Sequence, residues 1–157
     1  MSDMLVRLYD LPDSRDIYSR LKERNIEIVR PMSYNRDKVL NWIKENFGQG
    51  WSTETAMAFG THPISCFVAV DRAHGEILGF AGYDCTYKNF FGPTGVKKEA
   101  RGGGIGTALL LRCLEAMRDE GYGYAVIGDV GPTEFYAKTV GAQVIENSAP
   151  GVYKFSI

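Results

Sequence analysis

Four glycines, Gly102, Gly103, Gly104 and Gly106, stand between a strand-like run, Phe90 to Val96, and a helical stripe of Ile105, Leu109, Cys113 and Met117 spaced four apart. Where a strand turns through glycines into a helix, the first backbone N–H groups lack helical acceptors and point outward at the positive end of the helix dipole. Glycine tolerates the left-handed dihedrals of such a turn and lets a bulky pyrophosphate approach the main chain. With Arg101, and Lys97 and Lys98 nearby, the chemistry on offer is capture of an anion. A plain loop between strand and helix has the same composition, so the spacing must decide. A Walker loop requires a second glycine where Thr107 stands. A dinucleotide GxGxxG finds Thr107 or Leu109 at its third glycine.

The pattern that does fit is RxxGxG, written as Arg101, Gly104 and Gly106 in VKKEARGGGIGTALL. Downstream, GDVGPTEFYAKTVGA carries Phe135, Tyr136 and Lys138 in the places of an NxxAxxFYxKxGF segment, with a strand between the two motifs. Together they resemble the GNAT superfamily of acetyl-CoA-dependent N-acetyltransferases, over roughly Ile26 to Ile157. The resemblance implies that the backbone at Val96 pairs with the pantetheine arm. It implies further that the amides of Gly102, Gly103, Gly104, Ile105, Gly106 and Thr107 hold the pyrophosphate, beside Arg101. Two strands would splay apart to open the slot where thioester meets amine. The chain departs from the pattern at Asp129, where the family has Asn, at Pro132, and at an inserted Val140. Asp129 puts the usual amide contact in doubt and would set a negative charge beside a cationic amine.

An alkyl amine with a pKa of about 10.4 is almost wholly protonated at pH 7, so a proton must leave before nitrogen can attack a thioester. Family members often carry a Glu on the strand before the glycine turn, but Asn89 to Val96 holds no carboxylate. Asp84, Asp129 and Glu134 are the candidates, and a water chain ending at Asp84 or Asp129 is the preferred route. Tyr136 matches the family's general acid, a donor to the departing thiolate, although alone it reads equally as a core aromatic beside Phe135. Trp51, Phe59, Phe90 and Phe91 could wall the acceptor slot or fill the core. Lys138, His62 and His74 fit solvated positions.

These residues need a scaffold. Met4 to Tyr9 alternates as a strand, Asp13 can cap a helix with Ile17, Tyr18 and Leu21 on one face that closes near Asn25, and Ile26 to Val29 forms another strand ending at Pro31. Asn35 can cap a helix with Val39, Leu40, Ile43 and Phe47 on one face; Gly48 to Trp51 reads as a flexible connector before a short helix through Phe59. Three meander strands follow at Cys66–Val70, Ile77–Tyr83 and Phe90–Val96, then the long helix to Gly121, a strand near Ala125, and a helix from Pro132 or Thr133. Gln143–Glu146 and Val152–Ile157 read as a terminal strand pair across Pro150-Gly151. The expectation is a single α/β (α+β mixed) domain: a mixed, mostly antiparallel sheet of about seven strands with helices on both faces. Residues 26–157 would form the acetyl-CoA-binding domain and residues 1–25 a strand-helix extension that could cover the sheet edge, cap the acceptor slot or build a homodimer.

Composition narrows the function classes. The 157 residues fit one core, and 18 Lys and Arg against 19 Asp and Glu leave a net charge of -1, so nucleic acid and anionic membranes are not expected partners. No apolar run approaches the roughly 20 residues of a bilayer span, and the acidic, broken start is unlike a signal peptide. Cys66, Cys85 and Cys113 are odd in number and widely spaced, which suggests reduced thiols, a cytoplasmic location and no metal. The expected function is an N-acetyltransferase moving acetyl from acetyl-CoA to a primary amine by direct attack in a ternary complex. The alternative is a non-catalytic acyl-CoA-binding regulatory module. A small-molecule amine is preferred to a protein lysine as acceptor.

Overall fold

The helical stripe of Ile105, Leu109, Cys113 and Met117 is the centre of the molecule: each of the four is at most 1% exposed in the computed structural model, which describes residues 1–157. They belong to helix α4 (Ile105–Asp119), which lies across the sheet. In chain order the elements are β1 (Met4–Arg7), α1 (Arg15–Glu23), β2 (Ile26–Val29), α2 (Arg36–Phe47), α3 (Gln49–Ala56), β3 (Cys66–Asp71), β4 (Glu76–Tyr83) and β5 (Phe90–Val96). After α4 come β6 (Tyr124–Ile127), α5 (Thr133–Val140) and β7 (Gln143–Val144).

Side-chain alternation on β3 separates two cores. Phe67 and Ala69 join a cluster of 25 buried residues with α4, while Cys66 and Val68 join a cluster of 9 with Val39, Leu40 and Ile43 of α2. The sheet is thus covered on both faces, as the pattern of elements implies. It has seven strands in the order β2-β3-β4-β5-β6-β1-β7. Its one parallel pair is β5 with β6, joined by the α4 crossover.

Three local expectations are corrected. Gly48 alone ends α2, at φ 101°, and α3 begins at Gln49, so the connector read at Gly48–Trp51 is helical and carries Trp51 on its first turn. Ser14, not Asp13, is the residue before α1; the Asp13 carboxylate instead accepts the Arg15 N–H at 2.9 Å. The terminal strand pair does not form. Val152–Phe155 is a single 3-10 turn, and the strand lying between β6 and β7 is β1, paired Met4 to Ile127 on one side and Met4 to Val144 on the other. A strand-forming pattern names no partner, and the first strand of the chain already fills that place.

Of residues 1–25, β1 is woven into the sheet between β6 and β7. Met4, Val6 and Leu8 are each at most 1% exposed. Helix α1 packs on α4 and reaches the glycine turn, where Arg24 Nη1 donates to the Gly103 carbonyl at 3.1 Å.

Candidate active site

Strands β5 and β6 run side by side only at Phe90 with Val126 and Phe91 with Ile127, then part. The cause lies on β5: Gly92 and Pro93 together face the single Gly82 of β4, a bulge that bends the strand. From Gly92 to Val96, β5 keeps its partner β4 but has no strand on its other side. A groove opens there, and two joined cavities fill it, sharing Trp51, Thr94 and Pro132.

The outer cavity, about 630 Å³, is lined by Val96, Arg101, the glycine turn, Phe47 and Phe135. Gly104 sits before the helix at φ 89°, a left-handed conformation that favours glycine, and a Cβ there would meet Ile17 Cδ1 at 2.8 Å. The first loop-to-helix bond is donated by Ala108 to the Gly104 carbonyl at 3.0 Å, so the amides from Gly102 through Thr107 have no backbone acceptor. They form the cradle expected from the spacing. Val96 lies at its rim. Arg101 turns back, its Nε donating to the Val96 carbonyl at 3.0 Å. Gly95 lets the Phe47 ring lie flush on β5, since a Cβ there would be 2.6 Å from that ring.

The inner cavity, about 320 Å³, holds Tyr136, Asp129, Thr86 and Tyr153 on its walls. Tyr136, on α5, is 8% exposed, with its ring edge-on to Phe91 and Phe135. Its hydroxyl has no partner within the chain, and burial alone pushes its pKa up, which keeps it protonated. Asp129 follows β6 at φ 48°; its N–H donates to Asp3 Oδ1 at 2.8 Å, and its carboxylate lies 3.0 Å from the Met1 ammonium. Asp84 is elsewhere: its carboxylate accepts the Asn89 N–H at 2.7 Å and the Tyr122 hydroxyl at 2.9 Å, closing the loop between β4 and β5. The structure brings Tyr136 and Asp129 to the groove and leaves Asp84 out of it. Glu134 is exposed on α5.

Trp51 and Phe91 do wall the groove, whereas Phe59 packs in the α2 core and Phe90 edges against Tyr87. A further cluster was not visible in the sequence. Glu54, on α3, accepts hydrogen bonds from Tyr153 at 2.7 Å and from Thr86 at 3.0 Å. Burial, with the Glu54 bond opposed by Thr86, pushes the Tyr153 hydroxyl up to about 12, so it remains a donor. Thr86 sits in a loop and Tyr153 in the terminal 3-10 turn, with no periodicity to mark them.

A family model for the acetyltransferase (GNAT) family matches residues 36–142. The chain belongs to the GNAT family. The GNAT match takes in the glycine turn, both cavities' α5 residues and the splayed strands, and leaves β1 and α1 outside. No curated protein sequence matches the chain. Among solved structures, a glucosamine N-acetyltransferase region of a fungal multi-domain GH3 beta-N-acetylglucosaminidase is similar at TM-score 0.75 and 16% identity, over 92% of this chain and 19% of that one. A GCN5-related N-acetyltransferase from Sphaerobacter thermophilus is similar at TM-score 0.70 and 19% identity, over 92% of this chain and 48% of that one. A GNAT acetyltransferase from Brucella melitensis, solved with acetyl-CoA, is similar at TM-score 0.57 and 18% identity, over 78% of this chain and 88% of that one. The chain spans less than half the length of the first two of these. At these identities they establish the GNAT fold. No helix is long and apolar enough to cross a membrane.

Proposed function

We propose that the chain transfers an acetyl group from acetyl-CoA to a primary amine by direct attack in a ternary complex. The observation that carries this reading is the continuity of the groove: unbonded amides at one end, an open strand edge along it, and the unpartnered Tyr136 hydroxyl at the other. The residues fit acetyl-CoA. The amides from Gly102 to Thr107 would hold the pyrophosphate, and the free edge of β5 near Val96 would pair with the pantetheine amides. Acetyl-CoA supplies the activated acyl group; the chain orients it and moves protons.

Asp129 borders the inner cavity and is the terminus we assign to the water route that takes a proton from the ammonium. Asp84, with its carboxylate engaged by Asn89 and Tyr122, fits that role less well. As nitrogen bonds to the acetyl carbon and the C–S bond breaks, Tyr136 donates to the leaving sulfur, and the proton shed by nitrogen replaces it through solvent. A covalent acetyl-cysteine does not suit this chain. Cys66 and Cys113 are buried, which pushes their thiols well above the usual range, and burial takes Cys85 up to about 12. Three free cysteines also favour a reducing, cytoplasmic setting.

A second reading, a non-catalytic acyl-CoA-binding module, draws on β5, which has no ionisable side chain from Phe90 to Val96. Calorimetric titration with acetyl-CoA, repeated with Gly106→Glu, followed by thiol release against a panel of amines, separates the two. Binding lost in the variant together with amine-dependent release supports the enzyme. Binding without release supports the module, and no binding overturns both.

A further inference from the structure

The inner cavity is bordered by no Lys, Arg or His side chain among its 14 lining residues. Its ionised lining group, Asp129, faces the Met1 ammonium at 3.0 Å. Just behind the wall, Glu54 holds its charge on two neutral hydroxyls, Thr86 and Tyr153, with no cation in ion-pair range. Trp51, Phe91, Tyr136 and Tyr153 supply aromatic walls, and the hydroxyl of Tyr136, a residue 8% exposed, has no partner within the chain. A carboxylate whose partners in the chain are all neutral donors, beside aromatic faces, attracts a cation; nothing in the cavity would compensate a second carboxylate. At about 320 Å³ the space is at the lower end of ligand-binding cavities, which run from about 300 to 1,000 Å³.

We propose that Glu54, with Thr86 and Tyr153, seats the ammonium group of the acceptor, and that the acceptor is a small cationic amine without a carboxylate. This rests on the acetyl-transfer reading for its context and extends it to a substrate class. The amine arrives protonated, the form nearly all of it takes at pH 7, and Glu54 recruits that form. Tyr153 links the C-terminal turn to α3 through the same carboxylate, so the seat is assembled from three separate segments: α3, the loop between β4 and β5, and the chain end.

The test compares amines with their α-carboxylated counterparts on the full chain: tryptamine with tryptophan, and cadaverine with lysine. Binding to the protein saturated with CoA is measured by calorimetry, and thiol release from acetyl-CoA is measured in parallel. The expected result is an affinity and kcat/KM at least about tenfold higher for the amine of each pair. Glu54→Gln keeps an acceptor oxygen for the two hydroxyls while removing the charge. It should weaken amine binding and raise its KM by about tenfold, narrow the gap within each pair, and leave acetyl-CoA affinity unchanged. Equal or better use of the amino acids overturns the proposal, as does an unchanged amine affinity in Glu54→Gln, or a lysine peptide preferred to every free amine. Amine binding that depends on Glu54, with no thiol release, upholds the seat and overturns acetyl transfer; acetyl transfer indifferent to Glu54 does the reverse.

Discussion

Tyr136→Phe removes one oxygen that bonds to nothing in the chain, and so separates chemistry from folding. Thermal unfolding should be unchanged or slightly improved, and acetyl-CoA affinity unaltered, while kcat for thiol release falls by about 10²-fold or more. A matching loss of stability would mark Tyr136 as a packing residue instead. Far from the groove, His74 Nδ1 lies 2.8 Å from Asp71 Oδ2, and the hydrogen bond to that carboxylate raises the histidine's pKa. Its support for the fold is present below the unfolded histidine value, about 6.5, and fades as pH rises through the higher folded value. Nuclear magnetic resonance titration should place the His74 midpoint above that reference, and Asp71→Asn should bring it back down. At this scale the sequence displayed Tyr136, Asp129 and the glycines, because each sits in a short continuous motif. It hid the Glu54 seat, since residues 54, 86 and 153 meet only after the chain has folded.

The glycine turn makes a different kind of demand, one shared between an element and its neighbours. Gly104 has φ 89°, and a methyl there would strike Ile17 of α1, whereas Gly106 is helical and a methyl there would meet Val96 Cγ2 at an ordinary 3.7 Å. Gly104→Ala should therefore cost about 1–2 kcal/mol in left-handed strain plus the displacement of α1, read as a lower Tm. Gly106→Ala should hold or raise Tm, since alanine favours the helix by about 1 kcal/mol. Yet it should weaken acetyl-CoA binding by calorimetry, because the added methyl borders the cradle. Element boundaries on α4, β4 and β5 were legible from period and turn residues. The start of α3 was not: Gly48-Gln49-Gly50 reads as a linker, but Trp51 stacks on Phe47 at 5.4 Å, and that packing outweighs the poor helix propensity of Gly50.

Across the whole molecule, the two chain ends meet beside the groove. Asp3 Oδ1 accepts N–H bonds from Asp129 at 2.8 Å and Val152 at 3.2 Å, and the Asp3 N–H donates to Ser148 Oγ at 2.9 Å. Asp3→Ala leaves two amides without their acceptor and should cost about 1–3 kcal/mol of stability by chemical denaturation. It should also raise KM for the amine more than for acetyl-CoA, because Asp129 and Tyr153 wall the inner cavity rather than the cradle. The mixed seven-strand sheet was foreseeable from the order of elements, Met4–Tyr9 included, but the partner of Gln143–Glu146 was sought at Val152–Ile157 and not in β1. Val152–Ile157 has strand composition, and no local feature reveals that a segment some 150 residues earlier has claimed the position. That placement bears on how the protein comes into being. Met4 pairs with Ile127 and Val144, so β1 waits on the ribosome, without its neighbours, until residues as far on as Val144 have been synthesised. Sheets closed by such distant pairings assemble on the slow side, in about milliseconds to seconds. Until then Met4 and Val6 stay open to solvent, a period in which a nascent chain depends on chaperones or on speed.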